Sequence, residues 1–111
     1  MTINEYQALA MRTSNKSLST DMNLLNGALG LAGESGEVAD LVKKHMMQGH
    51  DLDATHVAKE LGDICWYIAE TANAIGYDLE TIMQMNIDKL LERYPDGFDT
   101  ERSQHRKEGD V

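Results

Sequence analysis

The chain has 111 residues, 41% of them hydrophobic, which is the size of one domain with a packed core. A formal net charge of -9 argues against a protein that follows a nucleic-acid backbone, because phosphate contacts need clustered lysine and arginine. The one cysteine, Cys65, excludes an intrachain disulfide and is expected to be a small buried side chain. No segment approaches the roughly 20 apolar residues that cross a bilayer. We therefore expect a single domain over residues 1–111, soluble and cytoplasmic, with no nucleic-acid or membrane partner.

The amino-terminal residues predict a short helix followed by a loop. Apolar side chains recur at helical spacing from Thr2 to about Arg12, and Thr2 with Glu5 has the spacing of a capping box. A polar stretch over residues 13–20 then interrupts the periodicity. Many Leu, Ala and Met residues with few aromatics favour helices over a β-sandwich in the remainder of the chain.

Two long helices are predicted next. The second helix is capped by Thr20 or Asp21 and ends near Gly49, and its apolar residues recur at intervals of three and four. The third helix follows a cap within residues 51–53 and is stopped by Gly76.

A fourth helix and a polar tail complete the chain. The helix is capped by Asp78 and must end before Pro95, because the residue before a proline disfavours the helical conformation. Residues 96–111 are polar, and they are either ordered over the helices or frayed. The predicted fold is all-α, a small antiparallel bundle of about four helices with its core over about residues 21–98. We expect oligomerisation to complete this bundle, since one short chain leaves an apolar face uncovered.

Two pairs of acidic residues constrain the function most strongly. Glu34 and Glu37 are three residues apart on the second helix, and Glu60 and Asp63 have the same spacing on the third. Residues at this spacing share one helix face, so two antiparallel helices can bring all four carboxylates together. Such a cluster requires either a hard divalent cation or strongly raised pKa values. Oxygen ligands alone select Mg²⁺, Mn²⁺ or Ca²⁺.

These four acids have other possible roles. They can be ordinary surface acids, as charged residues usually are. A di-iron site is disfavoured because neither pair is followed by a histidine at the required spacing, and His45, His50 and His56 are interpreted as turn or surface residues. Gly36 and Gly62 each precede the last acid of a pair, and we interpret them as positions where a second helix or a ligand phosphate approaches closely.

Candidate phosphate-binding residues accompany the acids. Lys43 and Lys44 follow the first pair, and Lys59 immediately precedes the second. The fourth helix carries an amide and two cations on one face, namely Asn86, Lys89 and Arg93. A metal cluster beside such residues suits a polyphosphate, although a solvated helix face explains the same stripe.

The sequence resembles the MazG-like all-α nucleoside triphosphate pyrophosphohydrolases, which are related to the dimeric dUTPases. The resemblance covers about residues 24 to 100. It rests on Glu34-x-x-Glu37, 22 intervening residues, and Glu60-x-x-Asp63, and it continues through Asn86-x-x-Lys89 and Arg93-Tyr-Pro-Asp-Gly-Phe98. One position departs from the pattern, because Gly33 stands where many members have another glutamate, and this leaves the number of metal ions open.

The resemblance implies Mg²⁺-dependent hydrolysis of a nucleoside triphosphate to the monophosphate and pyrophosphate, with Mn²⁺ as a substitute cofactor. It implies that Glu34, Glu37, Glu60 and Asp63 are the catalytic metal ligands, one of which also orients the attacking water. It further implies a homodimer or homotetramer whose active sites draw on neighbouring helices. The full set of substrate-binding candidates is Lys43, Lys59, Asn86, Lys89, Arg93 and Tyr94.

Two alternatives belong to other classes. A non-catalytic helical regulator would bind a nucleotide or a protein through the same acidic groove, and a histidine-based metal sensor would prefer Zn²⁺. The aromatic residues do not identify the base, since Trp66 and Tyr67 can either stack on it or pack against a partner subunit.

Overall fold

The computed structural model describes all 111 residues and contains only helices as regular secondary structure. In chain order the helices are α1 (Ile3–Met11), α2 (Thr20–Gln48), α3 (Ala54–Ala74), α4 (Leu79–Arg93) and α5 (Thr100–Gln104). The predicted all-α fold class is confirmed, because the four expected helices are present and the tail adds one short helix. None of the five has a stretch long and apolar enough to cross a membrane.

Side chains next to the helix ends explain where the helices begin. Thr2, Asp53 and Asp78 cap α1, α3 and α4 as predicted, each accepting a hydrogen bond from a first-turn backbone N–H. The predicted cap of α2 was wrong by one residue. Ser19 has extended backbone and its hydroxyl accepts from the Met22 amide at 3.2 Å, so the helix already includes Thr20.

The two longest helices, α2 and α3, form an antiparallel hairpin. Gly27 lies against Thr71, and Gly30 lies against Tyr67. Residue numbers therefore increase along α2 in the direction in which they decrease along α3. A Cβ atom at Gly27 would overlap the Thr71 hydroxyl and lie 3.1 Å from the Thr71 backbone nitrogen. These two glycines therefore allow the close approach of the helices.

The glycines singled out in the sequence do not have this role. A Cβ atom at Gly36 or at Gly62 would meet nothing within 4 Å. Within one chain, the prediction that a second helix approaches closely at Gly36 and Gly62 was therefore wrong. Both positions leave open surface beside the acidic pairs, because the helices touch closely at the other end of the hairpin.

The buried core lies where α1 crosses the α3–α4 junction. Its members are small or flexible apolar residues from three helices: Ala10, Met11, Ala69, Ala72 and Leu79. The Gln7 side chain accepts from the Leu79 amide at 2.9 Å and donates to the Tyr77 carbonyl at 3.1 Å. Trp66 fixes the other end of α1, since its ring N–H lies 3.0 Å from the Ala10 carbonyl and 2.8 Å from the Thr13 hydroxyl. Trp66 thus packs within its own chain.

The chain is more open than its length requires. Its radius of gyration is 17.1 Å, whereas a compact domain of this length has about 13 Å. Only eight residues are buried, and large apolar side chains such as Leu29 and Leu91 are exposed. Cys65 is exposed as well, so its predicted burial was wrong for the single chain. The helix α4 packs against α1, which leaves much of the hairpin surface uncovered.

Candidate metal centre and active site

Three of the four predicted carboxylates meet between α2 and α3. Glu34 and Glu37 come from successive turns of α2, and Glu60 faces them from α3. One oxygen from each of the three lies within 4.8 Å of the others. The i, i+3 spacing puts the first two on one face of α2, and the antiparallel pairing brings Glu60 to their level.

The surroundings of Glu34 disfavour its charged form. The pKa of Glu34 is raised from 4.5 to about 7, first by a hydrogen bond with Glu60, then by partial burial and by the charges of Glu60, Glu37 and Asp63. No amide, hydroxyl or basic group donates to the buried Oε2 atoms of Glu34 and Glu60. These oxygens therefore need a proton or a cation between them.

Asp63 lies close to the trio but outside its 4.8 Å spacing. Its side chain is exposed one turn beyond Glu60 on α3. Its charge still raises the pKa of Glu34, and it contributes, after burial and Cys65, to the raised pKa of Tyr6. The structure therefore leaves Asp63 at the edge of the cluster.

One neighbour of the cluster was given no functional role from the sequence. The ring nitrogen Nε2 of His56 lies 3.3 Å from Oε1 of Glu60, four residues further along α3. His56 also lines a cavity of about 320 Å³ with Gly33, Gly36 and Glu37. The available signal was the His-x-x-x-Glu spacing, which places both side chains on one helix face. Open space thus exists beside Glu37.

The candidate cations of the hairpin are not equivalent. Lys43 and Lys44 both approach Asp40, at 3.6 and 2.7 Å, and Lys44 contributes most to the lowered pKa of Asp40. Lys59 is exposed and forms no ion pair. Lys59 therefore carries an uncompensated charge next to Glu60.

The candidates on α4 are distant from the carboxylates within one chain. Asn86 and Lys89 line a largely apolar cavity of about 560 Å³ with residues such as Ile82. Arg93 binds Asp110 near the carboxyl terminus, and the Tyr94 ring lies 5.4 Å from that of Phe98. Because α4 packs on α1, one chain does not bring these four residues to Glu34 and Glu60.

Comparisons with known proteins give matches over most of the chain. A family model described as the MazG nucleotide pyrophosphohydrolase domain matches residues 23–98, a segment that contains all four acids. The "Gene 37 protein" of Mycobacterium phage L5 is 33% identical over 101 residues, which cover 84% of this chain and 89% of the phage protein. No solved structure matches the chain. The chain belongs to the MazG nucleotide pyrophosphohydrolase family.

Proposed function

We propose that this protein hydrolyses a nucleoside triphosphate, ribo or deoxy, to the monophosphate and pyrophosphate with Mg²⁺ as cofactor. The family supports nucleotide pyrophosphohydrolase activity in general. The observation that carries the finer proposal is the convergence of Glu34, Glu37 and Glu60 on one point. Asp63 is the fourth proposed ligand, at the edge of the same cluster.

The residues present fit a hard divalent cation. All donors are carboxylate oxygens, which suit Mg²⁺ or Mn²⁺ better than Zn²⁺. Two of these oxygens, on Glu34 and Glu60, are buried without a donor. A hydrogen bond with Glu60, partial burial and the neighbouring negative charges raise the pKa of Glu34, and a bound cation would favour its charged form instead. When bound, the ion would polarise phosphoryl oxygens and make a bound water more acidic.

The side chains have separable tasks in the proposed reaction. Water adds across the anhydride bond between the α and β phosphoryl groups, so one phosphorus–oxygen bond forms, another breaks, and a proton leaves the water. Glu37 is exposed and lines the cavity beside the cluster, so we assign it to orient that water and accept its proton. His56 contacts the Glu60 carboxylate and would hold it in position. We assign Lys43 and Lys59 to neutralise the charge of the substrate phosphates.

We propose further that the enzyme is a homodimer or homotetramer and that a second copy completes the site. The proposed substrate-binding residues of α4 do not reach the carboxylates of their own chain, yet large apolar surfaces are uncovered. A second copy packed on these surfaces would bury them and bring an α4 to the hairpin of its neighbour. These residues are Asn86, Lys89, Arg93 and Tyr94.

The test is a product assay. Purified protein is incubated with Mg²⁺ and a panel of ribo- and deoxynucleoside triphosphates, and pyrophosphate and orthophosphate are measured separately. We expect stoichiometric pyrophosphate and nucleoside monophosphate from at least one substrate. Glu37→Gln and Asp63→Asn should each abolish turnover, because removing one carboxylate from such a cluster removes a metal ligand or the proton acceptor.

The matched control is Asp21→Asn, which removes an exposed acid from the first turn of the same long helix. It should keep full activity. Release of orthophosphate instead of pyrophosphate, or unchanged turnover in both cluster variants, would contradict the proposal. Binding of a nucleotide without turnover would instead favour a non-catalytic regulator.

A further inference from the structure

Positive charge is concentrated in one part of this acidic chain. Five of its ten lysine and arginine residues lie between positions 89 and 107. Four of the five, together with His105, line a cavity of about 300 Å³ between α4 and the carboxyl-terminal segment, residues 96–111. These four are Arg93, Arg102, Arg106 and Lys107. No apolar residue lines this cavity, so its chemistry suits an anion.

An internal carboxylate already occupies the cavity. The Arg93 Nε atom donates to Oδ2 of Asp110 at 2.6 Å, and the two side chains are only 10% and 15% exposed. Arg93 contributes most to the lowered pKa of Asp110, and Arg106 and Lys89 add to it. The terminal nitrogens of the Arg93 guanidinium form no hydrogen bond, so part of its planar donor set is unused.

Two ion pairs join the carboxyl-terminal segment to α4, and of these only Arg93 with Asp110 is largely shielded from solvent. The other ion pair joining it to α4, Lys107 with Glu92, has side chains 79% and 67% exposed, and such pairs contribute little. Every residue from 96 to 109 is exposed except Ser103, and segments with so few buried contacts open at low free-energy cost. An anion that binds arginine better than a carboxylate can therefore displace Asp110.

Phosphate has that property. Arginine donors match phosphate oxygens in the same two-pronged geometry as carboxylate oxygens, and a phosphate group carries more charge. Arg102 and Arg106 line the same cavity as Arg93, so three guanidinium groups border one space. One carboxylate does not use this many donors.

We propose that Arg93, Arg102 and Arg106 form a binding site for a pyrophosphate group, free or within a nucleotide, and that Asp110 is its internal competitor. The assignment of that group to substrate or product rests on the proposed function, whereas the binding itself does not. The carboxyl-terminal segment would thus compete with the ligand for the arginines and would open when the ligand binds.

The test uses inorganic pyrophosphate as the probe, with the full-length protein and a chelator so that no hydrolysis occurs. Isothermal titration calorimetry compares the unmodified chain with Asp110→Asn, and we expect the substitution to tighten binding about tenfold because the competing conformation is removed. Glu92→Gln is the matched control. It removes an equal charge from the same cavity without freeing Arg93, and should change binding less than about threefold.

A further variant tests the arginines directly. Changing both Arg102 and Arg106 to Gln in the Asp110→Asn background should weaken binding at least about tenfold, since two charge-assisted contacts are lost. In the unmodified chain, pyrophosphate should also speed hydrogen exchange of the backbone amides after residue 105. This measurement uses no variant, so its result does not depend on whether a variant folds.

Equal binding by Asp110→Asn and Glu92→Gln, or unchanged exchange of the terminal amides, would overturn the proposal. The proposed function fails separately. If pyrophosphate binds as described but no nucleoside triphosphate is hydrolysed, the anion site stands and the enzymatic assignment falls.

Discussion

At the scale of single residues, the Glu34–Glu60 pair links the proposed metal binding to the loss of a proton. Both carboxyl groups have one buried oxygen without a donor, and Glu34 holds its proton up to about pH 7. A divalent ion competes with that proton for the same oxygens. Metal binding should therefore weaken as the pH falls below 7.

The same pair predicts a pH dependence of stability in the metal-free protein. Between pH 4.5 and about 7 the folded state keeps a proton on Glu34 that the unfolded chain has lost, so this contribution to stability is full below pH 4.5 and disappears as the pH rises through 7. Glu34→Gln cannot lose that proton and should flatten the slope. Thermal melts of both proteins in chelator, from pH 4.5 to 7.5, measure the difference, and parallel curves would contradict the shared proton.

His56 gives a second prediction at this scale. Its Nε2 atom contacts Glu60, a proposed metal ligand. Loss of a residue that contacts a metal ligand typically weakens metal binding by about 10- to 100-fold. His56→Ala should therefore raise the Kd for Mn²⁺ about tenfold in calorimetry. His50→Ala is the control, because the backbone carbonyl of His50 bonds to His45 whereas its side chain forms no hydrogen bond or ion pair. Equal affinity in the two variants would show that His56 does not position Glu60.

The sequence predicted the components of this site better than their arrangement. The spacing of Glu34 and Glu37 is a property of one helix, so their shared face followed directly. The exclusion of Asp63 from the trio depends on the register and rotation between two helices, which packing determines. The contact of His56 with Glu60 was not predicted either, since a histidine four residues before a glutamate is common on exposed helix faces.

At the scale of helices, the hairpin depends on two glycines near one end. Gly27 and Gly30 let α2 approach Thr71 and Tyr67, whereas Gly33 faces open space. Glycine costs about 1 kcal/mol relative to alanine in a helix, so helix propensity does not explain Gly27 and Gly30. Their close contacts with α3 explain them instead.

This difference gives opposite predictions for one type of substitution. Gly27→Ala places a Cβ atom 3.3 Å from the Thr71 Cα atom, and backbone cannot move aside cheaply. Overpacking costs about 1–3 kcal/mol, which the gain in helix propensity offsets only in part, so we expect a net loss of about 1 kcal/mol. Gly33→Ala should gain up to about 1 kcal/mol. Chemical denaturation of both variants measures the two signs, and equal shifts would contradict the close contact.

The helix ends were predictable where the signal is local. A capping side chain bonds to an amide two or three residues away, so Thr2, Asp53 and Asp78 could be read directly from the sequence. The position of α4 was not predictable in this way. It is fixed by contacts with α1, some 70 residues earlier in the chain, such as the bond between Gln7 and Leu79.

At the scale of the whole molecule, the apolar surface indicates a missing neighbour. The outer face of α2 exposes Leu25 and Leu29, and α4 exposes Ile87 and Leu91. Exposed single apolar residues are ordinary, but extended apolar faces on two helices of a chain with only eight buried residues support the proposed interface with a second copy. The sequence showed this surplus of apolar residues, whereas the surfaces they form depend on where α4 lies.

A charge placed on that face should separate the copies. The chain has a mass of 12.4 kDa, so size-exclusion chromatography with light scattering should give two or four times this value for the unmodified protein. Leu29→Glu buries an unpaired carboxylate in the proposed interface and should shift the mass toward 12.4 kDa at micromolar concentration. Thr20→Glu adds the same charge to the exposed first turn of the same helix, where a negative charge is favourable, and should leave the mass unchanged.

If a second copy completes the active site, Leu29→Glu should lose pyrophosphate release together with assembly, and activity should return as protein concentration rises. A monomeric unmodified protein with full activity would show that α4 and the hairpin of one chain suffice.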